Sequence, residues 1–430
     1  MAPSPDAPIS EASVSDSPPV ETVDSKVPTR TEVLRRWKTR LVSGRWRTGL
    51  LLTASLLGCQ ALAASGQITA PAALVIPGGL DGARFSFLQG MQLGEEAVRS
   101  CAAKPAAIVT HELGRDDDPA GLFPKDGQGQ LLLPPLLVVP YGADVRLFSR
   151  LTHNTDTRVL LAHQRGSSLD TLRLDAQGRI WPLVPGRLDD LRALAKDAIA
   201  RGWKRVVVVS DPSTLEGDRA ASFVELFEGS GGKVLSYTQD KVQELDGQDR
   251  DRLALLEKDL DWLGPDAVVL SAPPRGTLAQ WLRQRQGEQG AIQGPAWIWL
   301  SGSAQAAEVK PQSWPQLVLQ APAHGPGWTS FAKAFGQRWG YAPNLIAAAG
   351  YETARVLALT TAGPVPLASD GTRDPLAWLD PSADPLPLCK ALAQRRQGAS
   401  TRVEGVASDF ALRSGKAPSG VAESRLIAAQ

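Results

Sequence analysis

The turn Asp211-Pro212-Ser213-Thr214 offers one carboxylate and two hydroxyls directly after an apolar run led by Arg205. Short polar side chains at the end of a buried strand suit hydrogen bonding to a small polar molecule. Proton transfer or covalent catalysis needs a paired base and nucleophile as well. The other reactive residues assemble no such pair. His111-Glu112 and Asp116-Asp117-Asp118 raise the question of a cation, but their spacing fits neither a calcium loop nor a zinc motif. They read as a solvated turn after a strand. His153, His163 and His324 are scattered, none beside a Ser or Cys nucleophile, and no Gly-x-Ser-x-Gly elbow occurs. Gly78-Gly79-Leu80-Asp81-Gly82 lacks the spacing of either phosphate-binding glycine motif and reads as a tight turn. The chain is therefore expected to be no enzyme and to use no cofactor or metal. Cys59, Cys101 and Cys389 are too few for a disulfide scaffold or a zinc site. For Cys101 and Cys389, independent burial is favoured over a single bridge.

The elements that position the Asp211 turn are legible around it. Residues 205–209 form an apolar strand. A helix follows with Ala220, Phe223, Val224 and Phe227 on one face, then Gly231-Gly232 and a second strand over residues 233–237. Strand, crossover helix and strand make a βαβ unit, which implies a parallel sheet covered on both faces. The turn then lies at a strand's carboxyl end, where open α/β sheets bind ligands. Further strands are expected over residues 73–76, 106–110, 136–139, 158–162, 266–270, 296–300 and 317–319. Helices are expected through Leu188, Leu191, Leu194 and Ala198 up to Gly202, through Leu278 and Leu282, through Phe331 and Phe335 up to Gly340, and through Tyr351, Ala354 and Leu357. Such alternation predicts a doubly wound α/β architecture, and the chain is too long for one such sheet. A net charge of +1, from 46 basic and 45 acidic residues, creates no field for nucleic acid.

The first 66 residues read differently. Residues 1–29 hold six prolines and few large apolar side chains, which predicts disorder. A basic stretch follows, with Arg30, Arg35, Arg36, Lys38, Arg40, Arg45 and Arg47 against Glu32. Residues 1–48 thus form a disordered and basic N-terminal region. The apolar run over residues 49–64 has the flanks of a secretory signal and is short of the ~20 residues of a spanning helix. Within it Leu56-Leu57-Gly58-Cys59 resembles the lipobox of bacterial lipoprotein signals. Lipidation at Cys59 would anchor the protein to a membrane, each buried methylene contributing ~0.8 kcal/mol. Cleavage near Ala61-Leu62-Ala63 without lipid and retention as a signal anchor stay open.

Three stretches carry a family resemblance: residues 202–237, residues 264–302 (GPDAVVLSAPPRGTLAQWLRQRQGEQGAIQGPAWIWLSG) and residues 331–359 (FAKAFGQRWGYAPNLIAAAGYETARVLAL). Weaker echoes lie at 74–94, 111–119, 181–202 and 402–410. In this order they resemble the type I periplasmic solute-binding proteins, most of all the leucine/isoleucine/valine-binding branch that serves ABC transporters. The resemblance implies two doubly wound parallel-sheet lobes joined by a three-crossing hinge, which close over a ligand in the cleft between them. It divides the chain into a signal segment (49–66), a first lobe (67–184 plus 296–405) and a second (185–295 plus 406–430). The crossings are expected near 182–185, near 294–300 and close to Val403.

Carried onto this sequence, the resemblance implies a ligand site made of Tyr141, Gly142 and Ala143 after one strand, His163 and Gln164 after the next, and Asp211, Leu215 and Arg275 in the second lobe. The sequence departs from amino-acid-binding members here. The loop at Tyr141 has no Ser or Thr, and Asp144 would repel a carboxylate if it pointed inward. Leu215 stands near the place of a Tyr. Arg275 stands in the turn where a Glu would hold an ammonium group. Either Arg275 faces the cleft and favours an anionic ligand, or it is a solvated residue at a helix start. A helix expected over residues 119–135 is replaced by a Gly- and Pro-rich stretch. The implied function is extracytoplasmic capture of a small polar ligand, such as an amino acid, amide or organic acid, for the membrane subunits of an ABC importer. The alternative is an envelope lipoprotein of the same fold that docks on another protein and transports nothing.

Overall fold

A computed structural model describes residues 71–142, 144–165, 178–212, 217–288, 295–300, 309–367, 371 and 373–430. Cys59, Ala143 and Leu215 lie outside the described residues.

The first sheet comprises β1 (Ala72–Pro77), β2 (Val109–Leu113), β3 (Leu136–Val139), β4 (Arg158–Leu161) and β5 (Ile180–Pro182). Their order is β2-β1-β3-β4-β5, all parallel. The central strands AALVIP, LLVV and RVLL are buried throughout, which is why they read as continuous apolar runs. Helix α1 (Asp81–Ser100) covers one face, with Phe87 and Met91 among Leu74, Ile76 and Val138. Helix α2 (Val145–Thr152) covers the other, with Val145 and Phe148 among Val75, Leu137 and Val159.

The second sheet is reached through α3 (Arg187–Ala200). It uses β6 (Arg205–Ser210), α4 (Gly217–Gly229), β7 (Lys233–Val234), β8 (Val242–Glu244), α5 (Arg250–Leu263), β9 (Ala267–Ser271), α6 (Thr277–Glu288), β10 (Ala296–Trp299) and β11 (Gln316–His324). The chain continues through α7 (Trp328–Trp339), α8 (Leu345–Thr361), β12 (Pro385–Leu386), α9 (Leu388–Arg396), β13 (Arg402–Val403) and β14 (Val421–Ile427). The second sheet runs β14-β11-β10-β9-β6-β7, with β8 also on β6 and β14 antiparallel to β11. Val206 and Val208 pack under α3 and α4, whereas Val207 and Val209 pack under α5 and α6. The βαβ unit read around Asp211 is present, β6 and β7 pairing in parallel.

Helices α7 and α8 return to the first core, where Phe331, Phe335 and Val356 join Phe87. Helices α1 and α8 touch backbone to backbone: a Cβ on Gly350 would lie 2.0 Å from the Phe87 carbonyl oxygen. Only glycine permits this approach.

Several expectations need correction. Strand β2 lies three residues beyond the expected span. It is an edge strand with only Leu113 buried, so its apolar pattern sets the register weakly. The expected division at residue 296 does not follow the strand pairing: β10 and β11 both belong to the second sheet, and the chain rejoins the first core only after His324. Val406, Ala407, Phe410 and Leu412 also pack in the first core rather than the second. Strand order comes from contacts between distant segments, which an alternation pattern does not encode. Cys101 and Cys389 form a disulfide rather than being buried separately, because the end of α1 meets the start of α9 with their Cα atoms 5.0 Å apart. Between β2 and β3 the structure has only a short 3-10 helix, Pro119–Leu122, as the Gly- and Pro-rich stretch predicted.

Candidate functional site

The carboxyl ends of the first sheet's strands gather one group of polar residues. After β1 the chain turns through Gly78, whose N–H donates to the Leu113 carbonyl at 2.8 Å. The first turn of α1 then presents Arg84, whose Nη1 lies 3.2 Å from Glu112 at the end of β2. Tyr141 and Gly142 follow β3. The Tyr141 ring packs edge-on against Phe87 at 6.2 Å, and Leu80 lies against Gly142. Tyr141 is only 4% exposed, and its hydroxyl has no hydrogen-bond partner among the described residues. Burial pushes its pKa up to about 12, with Arg84 pulling down and Asp81 and Glu112 pushing up. The phenol therefore stays neutral and is free to donate or accept. A buried hydroxyl left unpaired costs about 1–3 kcal/mol, so a ligand atom that met it would recover part of that cost. Asp144 serves as a helix cap: its carboxylate accepts from the Arg146 N–H at 2.9 Å at the start of α2.

Strand β4 ends in His163, Gln164 and Arg165. Burial, then Arg165 and Arg187, hold the His163 pKa down to about 3, so its imidazole is neutral at ordinary pH. Arg165 crosses to the second sheet's helices. It contacts Asp190 on α3 at 3.0 Å and donates from Nε to the Pro185 carbonyl at 2.8 Å. Asp190 in turn accepts from the Ala323 N–H of β11 at 2.7 Å. Because α3 precedes β6 and runs antiparallel to it, the start of α3 lies at the carboxyl edge of the second sheet. The buried Arg165–Asp190 pair therefore joins the carboxyl edges of both sheets.

The three passages between the sheets meet beside this pair. The first is Leu183 to Gly186. The second follows His324, where the Gly325 and Gly327 N–H groups donate to Val406 and Gly405 at 2.8 Å. The third enters β14 through Gly420, where a Cβ would lie 2.5 Å from Pro185 and 2.9 Å from the His324 nitrogen. The passages expected near 294–300 and Val403 thus lie instead after His324 and at Gly420. Glu352, wholly buried on α8, pins the backbone against which the second passage rests, accepting the Val406 N–H while Arg355 contacts it at 3.1 Å.

At the second sheet's carboxyl edge, Asp211 is buried and its N–H donates to the Ser271 carbonyl at 3.1 Å. The Ser210 hydroxyl is buried without a partner among the described residues. Arg275 is exposed in the Pro273–Gly276 turn that starts α6. Two neighbours escaped sequence reasoning. Arg283 on α6 reaches back to the Pro274 carbonyl and lies 5.6 Å from the Trp299 ring centroid at the end of β10. Nothing in the local pattern distinguishes Arg283 from other helix-surface arginines. The structure thus brings Tyr141 and Gly142 together with Arg84, and His163 and Gln164 together with the passages. It leaves Asp211 and Arg275 on the second sheet's edge. No helix among the described residues is long and apolar enough to cross a membrane.

No family model matches the chain, and no curated protein matches it. Solved structures do. A branched-chain amino acid ABC transporter protein from Rhodospirillum rubrum is 16% identical, with a TM-score of 0.56 over 83% of this chain and 96% of that one. A leucine-binding protein from Thermotoga maritima is 14% identical, with a TM-score of 0.48 over 83% of this chain and 98% of that one. An ABC transporter solute-binding protein from R. palustris, solved with benzoate, is 16% identical, with a TM-score of 0.47 over 83% of this chain and 96% of that one. With two mainly parallel sheets, helices on both faces of each, and three passages between them, the chain has the fold of the type I periplasmic solute-binding proteins.

Proposed function

We propose that the protein is an extracytoplasmic solute-binding protein that holds a small polar ligand between its two sheets and delivers it to the membrane subunits of an ABC importer. The observation that carries this reading is the joining of both carboxyl edges at the Arg165–Asp190 pair, beside three converging passages. Such a junction forms a hinge, and a ligand touching both edges favours the closed state. The fold shared with the R. rubrum transporter protein supports it. So does the Cys101–Cys389 bridge, since disulfides persist outside the reducing cytoplasm.

The site comprises Tyr141, Gly142 and Ala143, His163 and Gln164, and Asp211, Leu215 and Arg275. Tyr141 and His163, both held neutral, serve as hydrogen-bonding groups. With Arg275 and Arg283 at the second sheet's edge and no carboxylate in the turn after β9, the ligand is a small organic acid rather than a zwitterion. The protein binds and does not catalyse. A lipid on Cys59 anchors it, so Cys59→Ser should release it from membranes; unchanged retention would remove the lipid from this account.

A thermal-shift panel of organic acids, amino acids and amides tests the whole reading. A ligand at a hundredfold excess over its Kd adds ~2.7 kcal/mol of stability. Stabilisation by acids supports it; silence across the panel favours the docking protein, the reading consistent with the missing helix between β2 and β3.

A further inference from the structure

A groove of about 840 Å³ lies along the outer edge of the second sheet, beside β8. Its floor is the edge of β8 and the residues leading into it. One wall is α4, through Val224 and Glu225; the other is α5, through Leu255 and Asp259. These helices cover opposite faces of the sheet, α4 beside Val206 and Val208, α5 beside Val207 and Val209. Residues of both line the groove together with β8, so the two helices frame the strand's edge as a slot. Strand β8 pairs with β6 on one side, and among the described residues no strand takes its other side. The rim keeps apolar surface in the open: Tyr237 and Leu255 are about half exposed. Five lining residues are acidic and two, Lys241 and Arg252, are basic. Lys241 is already engaged by Glu228 at 2.7 Å.

An open strand edge recruits another strand through main-chain hydrogen bonds, and alternate side chains then read the walls. An acidic slot with apolar patches selects a strand that alternates cations with aliphatic residues. We propose that this groove binds an extended Lys/Arg-bearing segment of a partner protein, added as a strand to β8. The groove faces outward from the sheet's edge, and the proposal does not depend on the solute site.

The test uses the full chain and three synthetic hexapeptides, acetylated and amidated, read by fluorescence anisotropy. One alternates Lys and Val, one alternates Glu and Val, and one is the Lys–Val peptide with its central Val replaced by Pro. The Lys–Val peptide is expected to bind. The Glu–Val and Pro-bearing peptides should bind about tenfold or more weaker, the first for charge and the second for the lost N–H. Asp259→Lys and Glu225→Lys should each weaken Lys–Val binding while leaving thermal unfolding unchanged, and raising salt from about 50 to 500 mM should weaken it too. No Lys–Val binding, or equal binding of all three peptides, overturns the proposal. So does a dimer in sedimentation that Asp259→Lys abolishes, since a second copy would then be the occupant.

Discussion

The two sheets carry the same layered plan and are stabilised in different ways. Around the first, charged pairs are buried: Arg158 contacts Asp374, far along the chain, at 2.9 Å, and Glu352 with its helix neighbour Arg355 grips the backbone at Val406. Arg395, fully buried, donates to the carbonyls of Leu359, Pro364 and Ala399. The disulfide adds a covalent tie across the same core. Around the second sheet, apart from the Arg165–Asp190 pair at the passages, the described ion pairs are exposed or half-buried, such as Arg285 with Glu257 and Lys241 with Glu228. That half relies on apolar alternation between β6, β9 and their helices. The difference teaches where precision resides. Buried charge pairs hold only one geometry without heavy cost, so the first sheet and its passages act as a rigid frame. The second, with its open β8 edge, is the half that can present a surface to others.

The largest expected effect would break this contrast directly. Glu352→Ala leaves Arg355 buried and the Val406 N–H unpaired, and should lose about 3–5 kcal/mol in urea unfolding. Glu257→Ala removes a surface pair and should change stability by ~0.2–1 kcal/mol. Similar losses for both would erase the distinction between the halves.

A smaller effect sharpens the site. Tyr141→Phe deletes a hydroxyl with no described partner, so unliganded stability should hold or rise by up to ~1 kcal/mol. Affinity for the organic acid found by thermal shift should fall about tenfold. Unchanged affinity would take Tyr141 out of the site.

A pH dependence isolates His163. The folded His163 pKa, about 3, lies below its ordinary 6.5. The unfolded chain then binds the extra proton between these values, so stability is fully present above 6.5 and drains away as pH falls towards about 3. His163→Gln should flatten that part of the stability curve and leave the part above pH 7 unchanged. If the curves of parent and variant run parallel down to acid pH, His163 is not the group responsible.

Much of the plan was readable in advance because buried parallel strands announce themselves as continuous apolar runs. Residues 136–139, 158–162 and 205–209 lie in observed strands or within one residue of their ends for that reason. Half-exposed edges do not announce themselves. Strand β14 alternates exposed and half-buried residues, β8 is three residues long, and neither was expected. The candidate site residues were legible as positions after strands: Tyr141, His163 and Arg275 lie in such turns. Their partners were not, since Arg84 with Glu112 and Arg165 with Asp190 are brought together by strand order and by the passages.

Local pattern alone determined that this chain builds alternating strands and helices, that no α-helix forms between β2 and β3, and that polar turns close the strands. Those features depend on neighbours a few residues apart, which a sequence displays. Tertiary structure alone decided that β10 and β11 join the second sheet, that Cys101 meets Cys389, and that Gly420 is where the passages cross. Each depends on the packing of segments far apart in the chain, and no spacing along the sequence records that distance in space.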